Sequence, residues 1–341
     1  MSLFSKLFGK KDSKSVIDFC TENGQSTTKY EPNIPKIQGD YAKAVFLWAN
    51  NRALPIRNND DYPRYLLYEC GIKDPANYHR KLVEQGYFER APIEQTLNAM
   101  KMAELKNLLT EMGQSATGKK DILIKRIIDN ADGKILDRFS KNNTYVLSEK
   151  GNSFLQENND CVLVHTHKKW NIDWNEYQSN YRSGYSFHDI VWGILNKRAI
   201  QDNNSFGRNE YYYMHQLLAE EGRHQDSFSM LLRVLYIDLS GSYAMNNINL
   251  YYKKVYTKKD LKDYFDIAIM LAPGIVNAVS DYKEYYSPDI INRLYEQELP
   301  IQICDKKVFQ NIVESILNDK FDEKSVLSQL QKSYNKLISS L

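Results

Sequence analysis

Lys81–Arg90 reads KLVEQGYFER. Leu82 and Val83 continue a helical stripe, Gly86 ends it, and Tyr87-Phe88-Glu89-Arg90 has the make-up of a short extended run. Pro92 closes that run, and no partner strand follows at hairpin distance. The next strand-like run is Thr144-Tyr145-Val146-Leu147, which turns at Ser148-Glu149-Lys150-Gly151 into a helix ending near Asn158. The two runs read as neighbours in one sheet, separated by an insert.

Upstream, Asp40–Asn51 carries an apolar stripe of Tyr41, Ala44, Val45 and Trp48 at helical spacing. Asp60–Cys70 reads as a second helix stopped by Gly71. Asp74-Pro75 opens a third, because Asp can cap free amides and Pro suits the first helical position. That helix runs to Gln85. Its core face is expected from Tyr78, Leu82 and Val83, which leaves Asn77, His79, Arg80 and Lys81 outside.

The insert contains Ala103–Asn130, AELKNLLTEMGQSATGKKDILIKRIIDN. Met102, Leu105, Leu108, Leu109 and Met112 form one stripe, and Leu123, Ile124, Ile127 and Ile128 another. Two short helices would bury these stripes against each other. Between them, Ser115 and Thr117 offer hydroxyls, and Gly118 permits close backbone approach. Lys119 and Lys120 sit where the free amides of the second helix begin. Such a combination favours an anion, with a phosphate backbone as its natural occupant.

These residues resemble the SAP domain, a helix–loop–helix module that binds DNA. The resemblance rests on Met102-Ala103-Glu104-Leu105-Lys106, Leu109, Gly113, Ser115, Gly118-Lys119-Lys120 and Leu123-Ile124-Lys125-Arg126-Ile127. Gln114 departs from the family, where an apolar residue usually tucks into the core. The resemblance implies DNA contact by Lys119 and Lys120, flanked by Lys106, Lys125 and Arg126. The three helices upstream, with the two separated strands, resemble a winged helix-turn-helix whose wing tip holds the SAP-like hairpin. That resemblance makes Asn77, His79, Arg80 and Lys81 candidates for reading bases or meeting phosphates. Arg52 to Arg90 holds seven basic and six acidic residues, so its charge argues only weakly for DNA.

From Cys161 onward the pattern is helical, with runs at Phe187–Ile200, Glu210–Glu221, Asp226–Leu239, Lys259–Tyr282, Pro288–Gln297, Lys306–Leu317 and Glu323–Leu341. Pro273 is expected to kink or divide the fourth. Leu218–Phe228 resembles the turn of a tetratricopeptide helical hairpin, although His224 and Ser227 stand where that family prefers Tyr and Ala. Trp170, Trp174 and Trp192 with Tyr177, Tyr181 and Tyr185 are expected to pack helices together, with stacking on bases the alternative. His165-Thr166-His167 would share a face only on a strand. With Cys161 four residues away and no carboxylate at ligand spacing, the pair is read as a polar junction and not as a metal site.

The 341 residues, 42% hydrophobic and 26% charged, suit a folded chain of two or three domains. A formal net charge of +2, from 45 basic and 43 acidic residues, excludes a strongly electrostatic nucleic-acid coat but not a local basic patch. Cys20, Cys70, Cys161 and Cys304 make no CxxC pair, and no secretory signal is visible. A reducing cytoplasmic setting is therefore expected. No apolar run approaches the length of a membrane span. MSLFSKLFGKK at the N-terminus is amphipathic; a short terminal helix lying on the protein is expected, with surface or partner docking the alternative.

The fold expected is mainly α. Residues 1–37 form a tail or linker, and 38–95 with 135–160 a split winged-helix-like module with a small β-hairpin wing. Residues 96–134 form the SAP-like hairpin, and 161–341 an all-helical domain, tetratricopeptide-like in part. No phosphate loop, dinucleotide fingerprint, nucleophile elbow or metalloprotease motif occurs. The function expected is non-enzymatic duplex-DNA binding, regulatory or architectural, without metal or cofactor. The helical domain would associate with itself or with a protein partner. An RNA-binding adaptor, a mobile-element enzyme with its site in the C-terminal domain, and a pure protein-interaction adaptor are the alternatives.

Overall fold

The computed structural model describes residues 38–140, 144–203, 205–242, 269–297 and 299–340. The tail at 1–37, including the expected N-terminal helix, and residues 259–268 of the expected fourth C-terminal helix lie outside these residues. The described chain is mainly helical, with one small antiparallel sheet.

Helix α1 (Gly39–Ala49) buries Tyr41, Ala42, Ala44, Val45, Phe46 and Leu47. A helix apolar on so many sides must be covered by several neighbours. After it come β1 (Leu54–Pro55), α2 (Tyr65–Tyr68) and α3 (Pro75–Glu84). The helix expected over Asp60–Cys70 shrinks to a 3-10 turn at Asn59–Asp61 and the single turn of α2. Pro63 is the cause: it presses Tyr62 into extended backbone, φ −89° and ψ 151°, between the two. Helix α3 starts as its sequence signals. Asp74 Oδ1 accepts the Asn77 amide at 3.0 Å, with Pro75 in the first turn.

Strands β2 (Phe88–Arg90) and β3 (Thr144–Leu147) pair antiparallel, Phe88 against Leu147 and Arg90 against Tyr145. β1 adds to the other side of β3, giving the order β1-β3-β2. β1 is invisible in the sequence because two residues, one of them proline, carry no period; as an edge strand it tolerates that proline. The turn leaving β3 is tied to the turn entering β2. Ser148 Oγ donates to Gly86 O at 2.6 Å, and Ser148 N to Tyr87 O at 3.1 Å. Gly151 lies so close that a Cβ there would stand 2.2 Å from Tyr87 O.

Between β2 and β3 the chain forms α4 (Ile93–Ala99), α5 (Met102–Glu111), α6 (Lys120–Asn130) and α7 (Gly133–Ser140). The two outer helices were not anticipated. They complete a separate core in which Leu97 and Ile135 join Leu105, Leu108, Leu109, Leu123, Ile124 and Ile127. Met102 and Ile128, expected inside, are 37% and 39% exposed, because α4 and α7 cover the stripes from other sides.

β3 leads into α8 (Glu149–Glu157) and α9 (Asn159–Thr166), then α10 (Trp174–Asn180) and α11 (Phe187–Gln201). α1 packs on both α8 and α9. Tyr41, Phe46, Leu66 and Leu82 therefore share one core with Cys161, Val164, Trp170, Tyr177 and Leu195. The apolar core thus runs straight across the boundary expected at 160/161.

α12 (Arg208–Glu220) and α13 (His224–Ser240) pack along each other as the expected helical hairpin, with Gly222 in the left-handed region at φ +73°. α14 (Pro273–Ser280), α15 (Pro288–Leu294), α16 (Lys306–Leu317) and α17 (Glu323–Ser340) follow. Pro273 opens α14. These helices close a third core around Phe228, Leu235, Ile291, Phe309 and Tyr334. Under it, Arg208 makes two bonds of 2.7 and 2.8 Å to Asp238, whose side chain is fully buried.

Candidate nucleic-acid interface

The loop between α5 and α6 is built by its ends. Gly113 leaves α5 at φ +67°, and the Gln114 amide donates to Leu109 O at 2.8 Å, which finishes the helix. Ala116 packs into the small core and pins the middle of the loop. Ser115 and Thr117 stay exposed, and their hydroxyls lie 2.8 Å apart. Gly118 has φ +134°, and a Cβ there would press on Ile122 at 3.2 Å. A side chain at that position would meet strain and crowding together.

Lys119 is the N-cap of α6, in extended backbone, and its side chain caps no amide. The first amides of α6 therefore have no side-chain partner at that position, and Asp121 in the first turn supplies a competing negative charge. Lys119 is exposed, whereas Lys120 turns its ammonium to Asn98 O on α4 at 2.6 Å. Arg126 reaches back from the second turn of α6. Its Nη1 donates to Ser115 O at 2.5 Å and to Thr117 O at 3.0 Å. Lys106 and Lys125 are exposed on α5 and α6.

The sequence-derived residues thus divide by role. Ser115, Thr117, Gly118 and Lys119 form the loop surface. Arg126 fastens the loop through its carbonyls, and Lys120 ties α6 to α4. Asn98 was missed because its contribution is a backbone carbonyl, which leaves no mark in side-chain chemistry.

On α3, Arg80 and Lys81 are exposed and Asn77 is half-buried. His79 was expected outside and is not; it is 1% exposed. It lies with Ala76 and Leu82 on the buried side of α3, and its ring packs on Phe46 and Phe88. Nδ1 stands 2.9 Å from the Tyr62 hydroxyl, and Nε2 is buried with no partner among the described residues. Burial, with help from the nearby Arg57 guanidinium, lowers its pKa to about 4. His79 is a neutral core residue and cannot touch DNA in this fold. Among the described residues no hydrogen bond or ion pair joins Arg80 or Lys81 to the loop.

The His165-Thr166-His167 segment ends helix α9 and does not form a strand. Two residues apart on a helix point in divergent directions. His165 faces Glu69, with Nδ1 3.1 Å from Oε1, while His167 stacks on Trp170. Glu69 also takes the Lys168 ammonium at 2.5 Å and the Tyr41 hydroxyl. Burial pushes the Glu69 carboxyl up, but hydrogen bonds from His165, Lys168 and Tyr41 outweigh it and hold the pKa at about 2. Trp170 and Tyr177 are buried as helix-packing residues, whereas Tyr181 and Tyr185 are 52% and 63% exposed. Among the described residues no group of three or more His, Cys, Asp or Glu side chains is arranged to hold a metal ion, and no helix is long and apolar enough to cross a membrane.

Set against known family models, curated proteins and solved structures, the chain matches none.

Proposed function

We propose that this chain binds duplex DNA in a regulatory or architectural role, without a reaction of its own. The loop Gly113–Lys119 would take a phosphate at the start of α6. The observation that carries the reading is this loop: small and hydroxyl residues, held down by Arg126, lie beside helix amides that no side chain caps. Lys119 adds an exposed charge, and Lys106 and Lys125 extend it along neighbouring helices. Likeness to the SAP domain fits the same residues.

The order β1-β3-β2 beside α1, α2 and α3 supports a winged-helix-like host, with the hairpin and its two added helices set into the wing. In that reading α3 offers Asn77, Arg80 and Lys81 to the duplex, and His79 supports them from inside. The helices after α11 would associate with a protein partner or with a second copy.

Fluorescence anisotropy of a labelled duplex against salt tests the loop. With about four to six cations engaged, the logarithm of affinity should fall with that of salt at a slope of roughly −4 to −5. Replacing Lys119, the exposed cation of the loop, by Ala should weaken every duplex about equally and flatten the slope by about one unit. An unchanged slope would remove the loop from the interface. Preference for structured RNA over duplex DNA in competition would reassign the ligand.

A further inference from the structure

Residues of α11, α12, α13 and α15, with Arg223 just before α13, line a partly open cavity of about 310 Å³. Trp192, Met230 and Leu294 supply much of its apolar wall. Its polar wall is unusual in sign, with three guanidinium groups, Arg223, Arg233 and Arg293, against the single carboxylate of Asp226. Arg223 is already answered, by Asp226 at 2.8 Å and Glu221 at 3.4 Å. Arg233 lies over the Tyr211 ring at 4.6 Å, which holds the guanidinium without neutralising it. Arg293 makes no ion pair among the described residues. Two positive charges therefore border the cavity with no ion-pair partner among the described residues.

Guanidinium forks match the oxygens of a phosphate and can take them bidentately. Beside them Trp192 offers an aromatic surface of the kind on which a base packs. The volume is at the small end of the range of ligand sites, roughly 300 to 1,000 Å³, and suits one unit, not an extended ligand. We propose that this cavity binds a single nucleotide, with its phosphate on Arg233 and Arg293 and its base against Trp192 and Met230. The source is either a free nucleotide or the 5′-phosphorylated end of a strand. The site is separate from the α5–α6 loop and does not depend on DNA binding there.

Calorimetry on the full chain tests it, with adenosine monophosphate, inorganic phosphate, and a short thymidine oligonucleotide with and without a 5′-phosphate as probes. Saturable binding is expected for the mononucleotide or for the 5′-phosphorylated oligonucleotide, about tenfold or more tighter than for inorganic phosphate. Which of the two binds identifies the source. Arg293→Gln should weaken that binding by about tenfold or more, with partial recovery in Arg293→Lys. Arg293 is exposed and makes no ion pair among the described residues, so a thermal melt should show both variants folded. Replacing Lys119 and Lys120 by Ala should leave this binding unchanged, which separates the cavity from the loop. The proposal is overturned if neither nucleotide probe saturates, if neither binds tighter than inorganic phosphate, or if folded Arg293→Gln binds as the parent does.

Discussion

Arg90 stands opposite Tyr145 in an antiparallel ladder, and the Ala91 amide still donates to Thr144 O at 2.9 Å. The chain therefore leaves and re-enters the sheet at one place. The described residues between, 92–140, fold around their own core of Leu97, Leu105, Leu109, Leu123, Ile127 and Ile135. Replacing residues 92–143 by a two-residue Asn-Gly turn should leave a folded, cooperatively melting host within about 1 kcal/mol of the parent. Thr144 must be kept, since it is buried in β3. Duplex-DNA affinity should drop sharply in the same protein. An aggregated or unfolded product would show that the insert is part of the host's core.

Gly151 makes a second, finer test of the same junction. A methyl group there would collide with the Tyr87 carbonyl at 2.2 Å, and neither backbone can move without pulling β2 from β3. Gly151→Ala should cost about 1–3 kcal/mol in denaturant unfolding. No measurable loss would mean that α8 is not seated against the turn at Gly86-Tyr87.

The contribution of His79 to stability should fall between pH 6.5 and 4. His79 is held neutral in the fold, with a pKa of about 4 against 6.5 for an unhindered imidazole. In that window the unfolded chain binds a proton that the folded chain refuses, so acid favours unfolding, by about 3 kcal/mol once pH reaches 4. Burial lowers the His215 pKa too, which adds to the loss in the same direction. His79→Gln, which keeps an oxygen for the Tyr62 hydroxyl, should remove about one proton from the measured pH slope. A slope unchanged in that variant would falsify the assignment.

The Arg208–Asp238 pair gives the opposite sign. Burial raises the Asp238 pKa to about 6 even though Arg208 pulls it down. A carboxyl raised in the fold supports stability at low pH and loses that support as pH rises through its folded pKa. Arg208→Met should cost about 3–5 kcal/mol at pH 7, because it leaves a buried charge uncompensated. The cost relative to the parent should shrink toward pH 5, where Asp238 is protonated. A pH-independent difference would rule out charge as its origin.

Elements with a physical stop or start were legible in the sequence. α3 follows from Asp74-Pro75, α16 from the apolar period over Lys306–Leu317, and the β2–β3 pairing from a helix running through Gly86 into an unpaired strand. What escaped was short or shared. α4 and α7 each contribute only about one turn of apolar residues, too little to show a period. His79 was misplaced because its side chain was weighed as polar before its position was weighed. Ala76, His79 and Leu82 recur every three residues and lie on the face that the fold buries. The core across 160/161 left no signal, since periodicity shows that a face is buried and not what covers it. Of the candidate site, the loop chemistry was readable, but the anchoring of Arg126 and Lys120 to backbone carbonyls was not.

The shared core also carries its own chemical clock. Cys70 and Cys161 lie on opposite sides of that point in the sequence, yet both are buried free thiols in the same apolar cluster. Burial pushes each thiol up to about 12, so almost no thiolate is present at neutral pH. An alkylating reagent can reach them only when this core opens. Site-resolved mass spectrometry of the two cysteines thus times that opening, and equal labelling rates would mean that the segments before and after residue 160 come apart in one event.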